Sequence, residues 1–457
     1  MCKKRRRILM TEETLLFLEK KDFKGLRDYL SAFNPADIAI LLSEIPEESL
    51  TVVFRLLPKE LAAETFVEMD SDEQEFLLKA FSDKEIREVL DELYLDDTVD
   101  IIEEMPANVV RRILANTDSE MRAQINELLN YPKDSAGSIM TTEFVDLQKD
   151  MTVAAAFEKI RRVGVDKETI YTCYVIDKNR HLLGLISVKT LLLTSMKSII
   201  GDIMETNVIS VSTLQDKEEV GENFTKYGFL ALPVVDNENR LVGIVTIDDA
   251  IDVIQEENTE DIEKMAAITP TDKTYMKTGI FETWLKRIPW LLLLMISATF
   301  TGRIITSFES ALGAIPVLAA FIPMLMDTGG NAGSQASVSI IRGLALNEIE
   351  FRDIFRIWLK ELTVALLCGL VLGAANFGKI MLLGETNGNV LTAAVVCLTL
   401  VVTIVIAKFV GCTLPLLAKR IGFDPAVMAS PFITTIVDAL SLLVYFNIAT
   451  SILNMSA

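Results

Sequence analysis

One carboxylate, Asp438, stands alone in a long apolar run: it is the only charged side chain after Asp424. The run around it reads PFITTIVDALSLLVYF. An ionisable group at bilayer depth costs roughly 3 kcal/mol or more unless it faces a cavity, a partner or an ion. A chain with this feature either tucks the carboxylate against a neighbouring helix or builds a cation path around it. The remaining sequence is read here as the body that builds and controls such a path.

The charge is divided unevenly. From Trp284 onward there are 9 acidic and 11 basic residues, and before it 55 acidic and 33 basic, a net of −22. The first part reads as a soluble acidic body and the second as a nearly neutral, apolar one. An acidic body repels phosphate, so nucleic acid is not an expected partner, whereas cations are. The five cysteines form no CxxC pair and His181 is the single histidine, which argues against zinc and iron–sulfur sites. A hard cation such as Mg²⁺ needs only carboxylates, carbonyls and water. The opening CKKRRR is not followed by the apolar run of a signal peptide and reads as a cytoplasmic basic tail that could touch anionic lipid.

Residues 1–130 carry helix-start signals at short intervals: Pro46 before EES, Pro58 before KEL, Ser71 before DEQ, Ser82 before DKE, Pro106 before ANV. Leu50, Val53, Phe54 and Leu57 sit at helical spacing. The repeating unit, a short helix and turn of about 12 residues, predicts an all-α superhelix with its core between neighbours. Most charges are its solvated face. The cluster LDDTVDIIEE is denser than solubility needs: Asp96 and Asp100 lie on one helix face, where like charges repel and invite a cation.

Residues 131–254 hold two copies of one pattern: helix, strand (YTCYVID, ALPVVD), polar turn (KNR, NEN), strand (LLGLIS, LVGIVT), helix. The pair resembles tandem CBS domains, small α/β modules. That resemblance implies a second reading, an adenine-nucleotide site: Thr246 and Asp249 in TIDD match the family's ribose-binding positions. In the first copy Ser187 is followed by Thr190 and the Asp is missing. ATP thus enters as a candidate ligand beside a purely structural reading. Residues 255–283 predict a connecting helix with Glu256, Glu257, Glu260, Asp261 and Glu263 at its start. Asp248, Asp249 and Asp252 stand just before it, and so many carboxylates repel unless cations intervene.

The last part, residues 284–457, predicts five membrane spans, near 288–308, 311–341, 356–382, 390–418 and 426–453, each near or above the roughly 20 residues needed to cross. Basic residues in the short loops (Lys286, Arg287; Arg342, Arg352, Arg356, Lys360; Lys419, Arg420) place the N-terminus and the soluble domains in the cytoplasm and the C-terminus outside. Pro323, Gly329, Gly330 and Gly333 predict a broken or bent helix in the second span, which is tolerated only where it is buried or lines a wet cavity. Asn331 is expected to line the path. Asp327 is a second intramembrane carboxylate with no role assigned.

This order of parts, with the segments PMLMDTGGNAGSQASVSIIRGLA and GFDPAVMASPFITTIVDALSLLVYF, resembles the MgtE family of magnesium channels. The resemblance implies a homodimer in the cell (plasma or inner) membrane, with one pore on its two-fold axis. The pore carboxylate falls on Asp438, and Asn331 and the carbonyls of Ala429 and Ser430 fall at supporting positions. It also implies a cytosolic Mg²⁺ sensor whose ligands fall on Glu64, Asp96, Asp100, Gly137 (a backbone oxygen), Asp249, Asp252, Glu257, Glu260, Asp261 and Asp424. The family can carry Asp where this chain has Gly228, which puts one sensor site in question. The expectation is a Mg²⁺-selective channel closed by cytosolic Mg²⁺, with Mg²⁺ as both cargo and regulator. The alternative is a cation-coupled exchanger of divalent metal ions with a CBS nucleotide sensor. No enzyme site is expected: there is no P-loop, nucleophile–histidine pairing or metal-hydrolase spacing.

Overall fold

The computed structural model describes residues 2–271, 275–276, 278–386, 389–428 and 430–453. Two compact units divide the chain, Met1–Ile254 and Gln255–Ala457.

The first unit begins with ten short helices: α1 (Cys2–Glu19), α2 (Phe23–Leu30), α3 (Pro35–Glu44), α4 (Glu47–Phe54), α5 (Lys59–Val67), α6 (Ser71–Ala80), α7 (Asp83–Leu90), α8 (Leu95–Glu104), α9 (Ala107–Asn116) and α10 (Ser119–Leu128). Pro46, Pro58 and Pro106 stand at the N-cap of their helices rather than inside them. Ser82 closes a capping box with Glu85 at the start of α7, which satisfies orphan N–H groups at both positions. The odd-numbered helices α1, α3, α5, α7 and α9 stack in series, and α4 on α6 and α8 on α10 form the second layer. Each short helix is too small to be stable alone and buries its apolar stripe between neighbours, as with Ile38, Val53, Phe66, Leu77, Ile86 and Ile113. Polar side chains finish the helix ends. The Arg112 guanidinium donates to the carbonyls of Leu78 and Phe81, and the Gln74 amide donates to Phe66 O at 2.8 Å.

Next come two three-stranded sheets of the same design. The first orders β1 (Asp146–Gln148), β2 (Thr172–Ile176) and β3 (Leu182–Ser187), with β1 parallel and β3 antiparallel to β2. The second repeats this with β4 (Val211–Ser212), β5 (Ala231–Val235) and β6 (Leu241–Thr246). Helices α11 (Val153–Val163), α12 (Val188–Leu193), α13 (Ile200–Ile203), α14 (Lys217–Tyr227) and α15 (Ile247–Met265) complete them. Strands β1 and β4 are additions to the sequence reading. The glycine of each LxGxx[ST] strand has a local cause. A Cβ on Gly184 would meet Glu205 O at 2.6 Å, and one on Gly243 would meet Thr141 O at 2.7 Å. Those backbones bridge to the strands there, Glu205 to Leu185 and Thr141 to Ile244.

The second unit holds α16 (Ile280–Ser307), α17 (Glu309–Ala314), α18 (Ile322–Ala345), α19 (Ile354–Leu383), α20 (Val390–Arg420) and α21 (Ser430–Ile452). Four segments, built on α16, α19, α20 and α21, are long and apolar enough to cross a membrane. The expected second span is α18: its length suffices, but its middle, DTGGNAGSQAS, is polar and small. The predicted span of 311–341 is interrupted ahead of Pro323, between Ala314 and Ile322, but no break occurs at Gly329, Gly330 or Gly333. Helix α18 runs unbroken, with Pro323 in its first turn, where no intrahelical N–H is lost. Its glycines instead admit neighbours. Added Cβ atoms would meet Val437, Ser441 and Thr403 side chains at Gly329, Thr434 at Gly330, and Ile433 and Ala407 O at Gly333. Helix α18 is thus held between α20 and α21. Helices α19 and α20 are tied by a buried ion pair, Lys408 Nζ to Glu361 Oε2 at 3.1 Å, and by Trp358 Nε1 donating to Thr413 Oγ1 at 3.0 Å.

Candidate cation path and acidic centre

The glycine contacts set α18 against the turn of α21 that carries Asp438. There, Asp438 Oδ1 is buried with no hydrogen-bond partner among the described residues. Along α18, Asp327, Asn331, Gln335 and Ser339 recur every fourth residue and are all exposed on the chain. They form a polar stripe on a helix clamped between two apolar spans, and such a stripe is unfavourable against lipid. Asn331, expected to line a path, is one of the exposed residues of this stripe. Asp327, unassigned from sequence, lies on the same stripe and acts electrostatically on Asp438. Ser430 opens α21; Ala429 lies outside the described residues.

A second group gathers in the first unit. Helix α8 buries Leu95, Val99, Ile101 and Ile102, and with them Asp96, which is 7% exposed. Asp249 sits in the first turn of α15, where Thr246 Oγ1 donates to it at 2.5 Å and the Thr246 N–H reaches it at 3.4 Å. The third member, Glu168, comes from the loop between α11 and β2. One carboxylate oxygen from each of Asp96, Glu168 and Asp249 lies within 4.8 Å of the others. Two charges at that separation repel by roughly 3–4 kcal/mol at an effective dielectric of about 20. Three ionised together would oppose folding by an amount comparable with the stability of a domain, roughly 5–15 kcal/mol.

The groups respond as expected. Burial, then the charge of Asp97, pushes Asp96 up to about 7. Burial, then Asp96, pushes Asp249 up to about 7, and burial, then Asp96 and Asp249, pushes Glu168 up to about 9. Asp97 is pushed to about 7 by burial and then by Asp249 and Asp248. Asp100 shares α8, and its carboxyl is held high by the protein packed around it and by Asp249, although much of its surface stays open to solvent. Among the described residues no lysine or arginine pairs with Asp96, Asp97, Asp100, Glu168 or Asp249. Oxygen-only ligands without histidine or cysteine suit a hard divalent cation.

The other expected ligands distribute as follows. Glu64 is exposed on α5, outside the three-carboxylate group, and Asp252 is exposed on α15. Gly137 lies in a buried turn, where an added Cβ would strike the Tyr131 ring at 2.5 Å; close packing accounts for the glycine. Gly228 ends α14 at φ +66°, the left-handed C-cap that favours glycine, and its N–H satisfies Phe224 O. Glu257, Glu260 and Asp261 fall on α15. Glu260 and Asp424 do meet around a cation, but it is a side chain: Lys264 Nζ lies 2.8 Å from Glu260 Oε1 and 2.7 Å from Asp424 Oδ2. Asp261 is pushed up by burial and then by Asp424. Glu168 and Lys264 were not singled out from sequence.

The chain matches the family descriptions "MgtE intracellular N domain" over residues 33–134, "CBS domain" over 136–197 and 200–256, and "Divalent cation transporter" of MgtE over 322–448. It is 39% identical over 440 residues to "Magnesium transporter MgtE" of Thermus thermophilus, covering 95% of this chain and 97% of that one. The chain belongs to the MgtE family. A second relative of the same name, from Bacillus subtilis, is 32% identical over 440 residues and 96% of each chain. The solved cytosolic domain of "the Mg2+ channel MgtE in complex with ATP" is 37% identical and matches with a TM-score of 0.51, over 53% of this chain and 99% of that one. Both of these relatives are named as magnesium transporters. The expected helical domain, CBS pair and apolar multi-pass helices all stand. At the start of α15 the Asp249 carboxylate accepts the Thr246 hydroxyl and N–H, whereas at the start of α12 the Ser187 hydroxyl accepts the Thr190 N–H.

Proposed function

We propose that this protein is a Mg²⁺-selective channel of the cell membrane, a homodimer whose pore is lined by α18 and α21 and closed by Mg²⁺ bound to its acidic cytoplasmic body. The observation that carries the reading is the unpartnered, buried Asp438 oxygen beside the polar stripe of α18. In one chain that stripe is exposed, and a second copy related by a two-fold axis would cover it. Two Asp438 carboxylates would then face a Mg²⁺ that keeps most of its water, which suits an ion that dehydrates reluctantly. Asn331 would hold that water shell from α18, and the C-terminus would lie outside.

Closure follows from the acidic group. At low cytosolic Mg²⁺, Asp96, Asp100 and Asp249 repel; at high Mg²⁺ the ion holds them together and favours the closed state. Helix α15 carries Asp249 in its first turn and Lys264, the residue that grips Asp424, in its last. It is the lever of this scheme, with Asp252, Glu257, Glu260 and Asp261 along it. ATP binding by the CBS pair is a further property, supported by the related cytosolic domain.

The test is Mg²⁺ flux into proteoliposomes with no other gradient. Flux is expected for the native chain, at least ten-fold less with millimolar Mg²⁺ on the cytoplasmic face, and none for Asp438→Ala. Unchanged flux in Asp438→Ala would remove that residue from the path, and flux that requires Na⁺ or H⁺ would replace the channel by an exchanger.

A further inference from the structure

Glu168 sits in a loop of the first CBS copy, yet its carboxylate is held where parts of three modules meet. The anchoring is by backbone. Glu168 N–H donates to Glu143 O at 3.2 Å, and two residues earlier Thr141 exchanges both backbone hydrogen bonds with Ile244 of β6, at 2.8 and 2.9 Å. Strand β6 leads directly into Thr246 and Asp249. The loop bearing Glu168 is therefore indexed to the start of α15 and cannot swing away without breaking this ladder.

Two members of the group each keep one carboxylate oxygen without a partner. Asp96 Oδ1 and Glu168 Oε2 are both buried and without a hydrogen-bond partner among the described residues. A buried acceptor left unpaired costs about 1–3 kcal/mol. Native structures retain such groups for a reason such as an ion. Asp96 is more than nine-tenths buried and aims into the group. All three ligands are carboxylates, so the set carries charge for a divalent ion and no softness for zinc or copper.

We infer that Glu168 is the third ligand of one divalent-cation site with Asp96 and Asp249, so that a single Mg²⁺ joins the helical domain to both CBS copies. This rests on the reading of the acidic body as a Mg²⁺ sensor and adds to it the first CBS copy. Oxygens at the corners of a Mg²⁺ octahedron are roughly 3–4 Å apart, somewhat nearer than the 4.8 Å limit seen here. The three carboxylates would close inward on the ion or reach it through water. The ion thus tightens three modules at once, which is the mechanical event a sensor needs.

The test is thermal unfolding of the purified full chain in detergent, in EDTA and in MgCl₂. For the native protein Mg²⁺ raises the melting temperature. Glu168→Gln is expected to melt in EDTA at or above the native temperature, because it removes an acid from an acidic cluster, and to lose more than half of the Mg²⁺-induced rise. Glu168→Asp, which keeps the charge on a shorter arm, should fall between. A full Mg²⁺-induced rise in Glu168→Gln overturns the inference. So does a lower EDTA melting temperature combined with a lost rise, which marks a residue that merely holds the loop. The readout is binding and not flux: a native channel that ignores cytosolic Mg²⁺ would end the gating scheme yet leave this site standing.

Discussion

Glu85 shows how one side chain can serve two elements. Its carboxylate accepts the Ser82 N–H at 2.7 Å and Ser82 Oγ at 2.8 Å to start α7, and it receives Arg55 Nε at 2.6 Å from the end of α4. The Arg55 hydrogen bond, then the Ser82 N–H, pulls its carboxyl down to about 2. The folded value lies below the unfolded one, near 4.5. The stabilisation is therefore full above about pH 4.5 and is lost as pH falls toward 2. The site is partly open to solvent, so its worth is about 1 kcal/mol. Glu85→Gln should lower the melting midpoint at pH 7 and flatten its fall between pH 4.5 and 2. A variant whose acid profile matches the native one would show that the pair does not matter. Residues differ in how far the sequence announces them. Asp438 was legible because a lone charge in an apolar run has few explanations. Glu168 was not, since KET is ordinary loop composition and its partners lie in other modules. Gly137 matched a motif position whose glycine the packing against Tyr131 explains on its own.

Among the elements, helix starts were legible from Ser, Asp and Pro, whereas β1 and β4 were missed. Strands of three and two residues carry too short a pattern to read, and their parallel pairing depends on residues distant in sequence. At the glycines of α18 no break forms, for a different reason: glycine propensity favours a break in isolation, but here each glycine face is occupied by α20 or α21, which keeps the helix. Charge inside the second unit makes a separate claim. Glu361 and Lys408 are 14% and 8% exposed and pair across α19 and α20. Removing one partner of a buried pair leaves an uncompensated charge and costs about 3–5 kcal/mol, while replacing both is much milder. Lys408→Met should lower the midpoint of detergent unfolding, and adding Glu361→Gln should recover most of the loss. A double variant no more stable than the single one would mean the two charges do not depend on each other.

At the scale of the whole molecule, the acidic body and the apolar unit are separable in composition but joined by a single helix, α15. Neutralising Asp249, Glu257 and Asp261 together should give a channel that conducts as the native one does in low Mg²⁺ and fails to close in millimolar cytoplasmic Mg²⁺, measured as flux in proteoliposomes. Normal closure in that variant would place the sensor elsewhere. The polar stripe of α18 also bears on how the protein is made. A segment reading DTGGNAGSQAS partitions poorly into lipid, and the apolar neighbours that enclose it, α20 and α21, are both synthesised after it. During biogenesis α18 must wait at the membrane surface or within the insertion machinery until those two helices arrive. Helix α18 is then the last part of the bundle to settle, and a chain truncated before α21 would leave it without the neighbours that shield it from lipid.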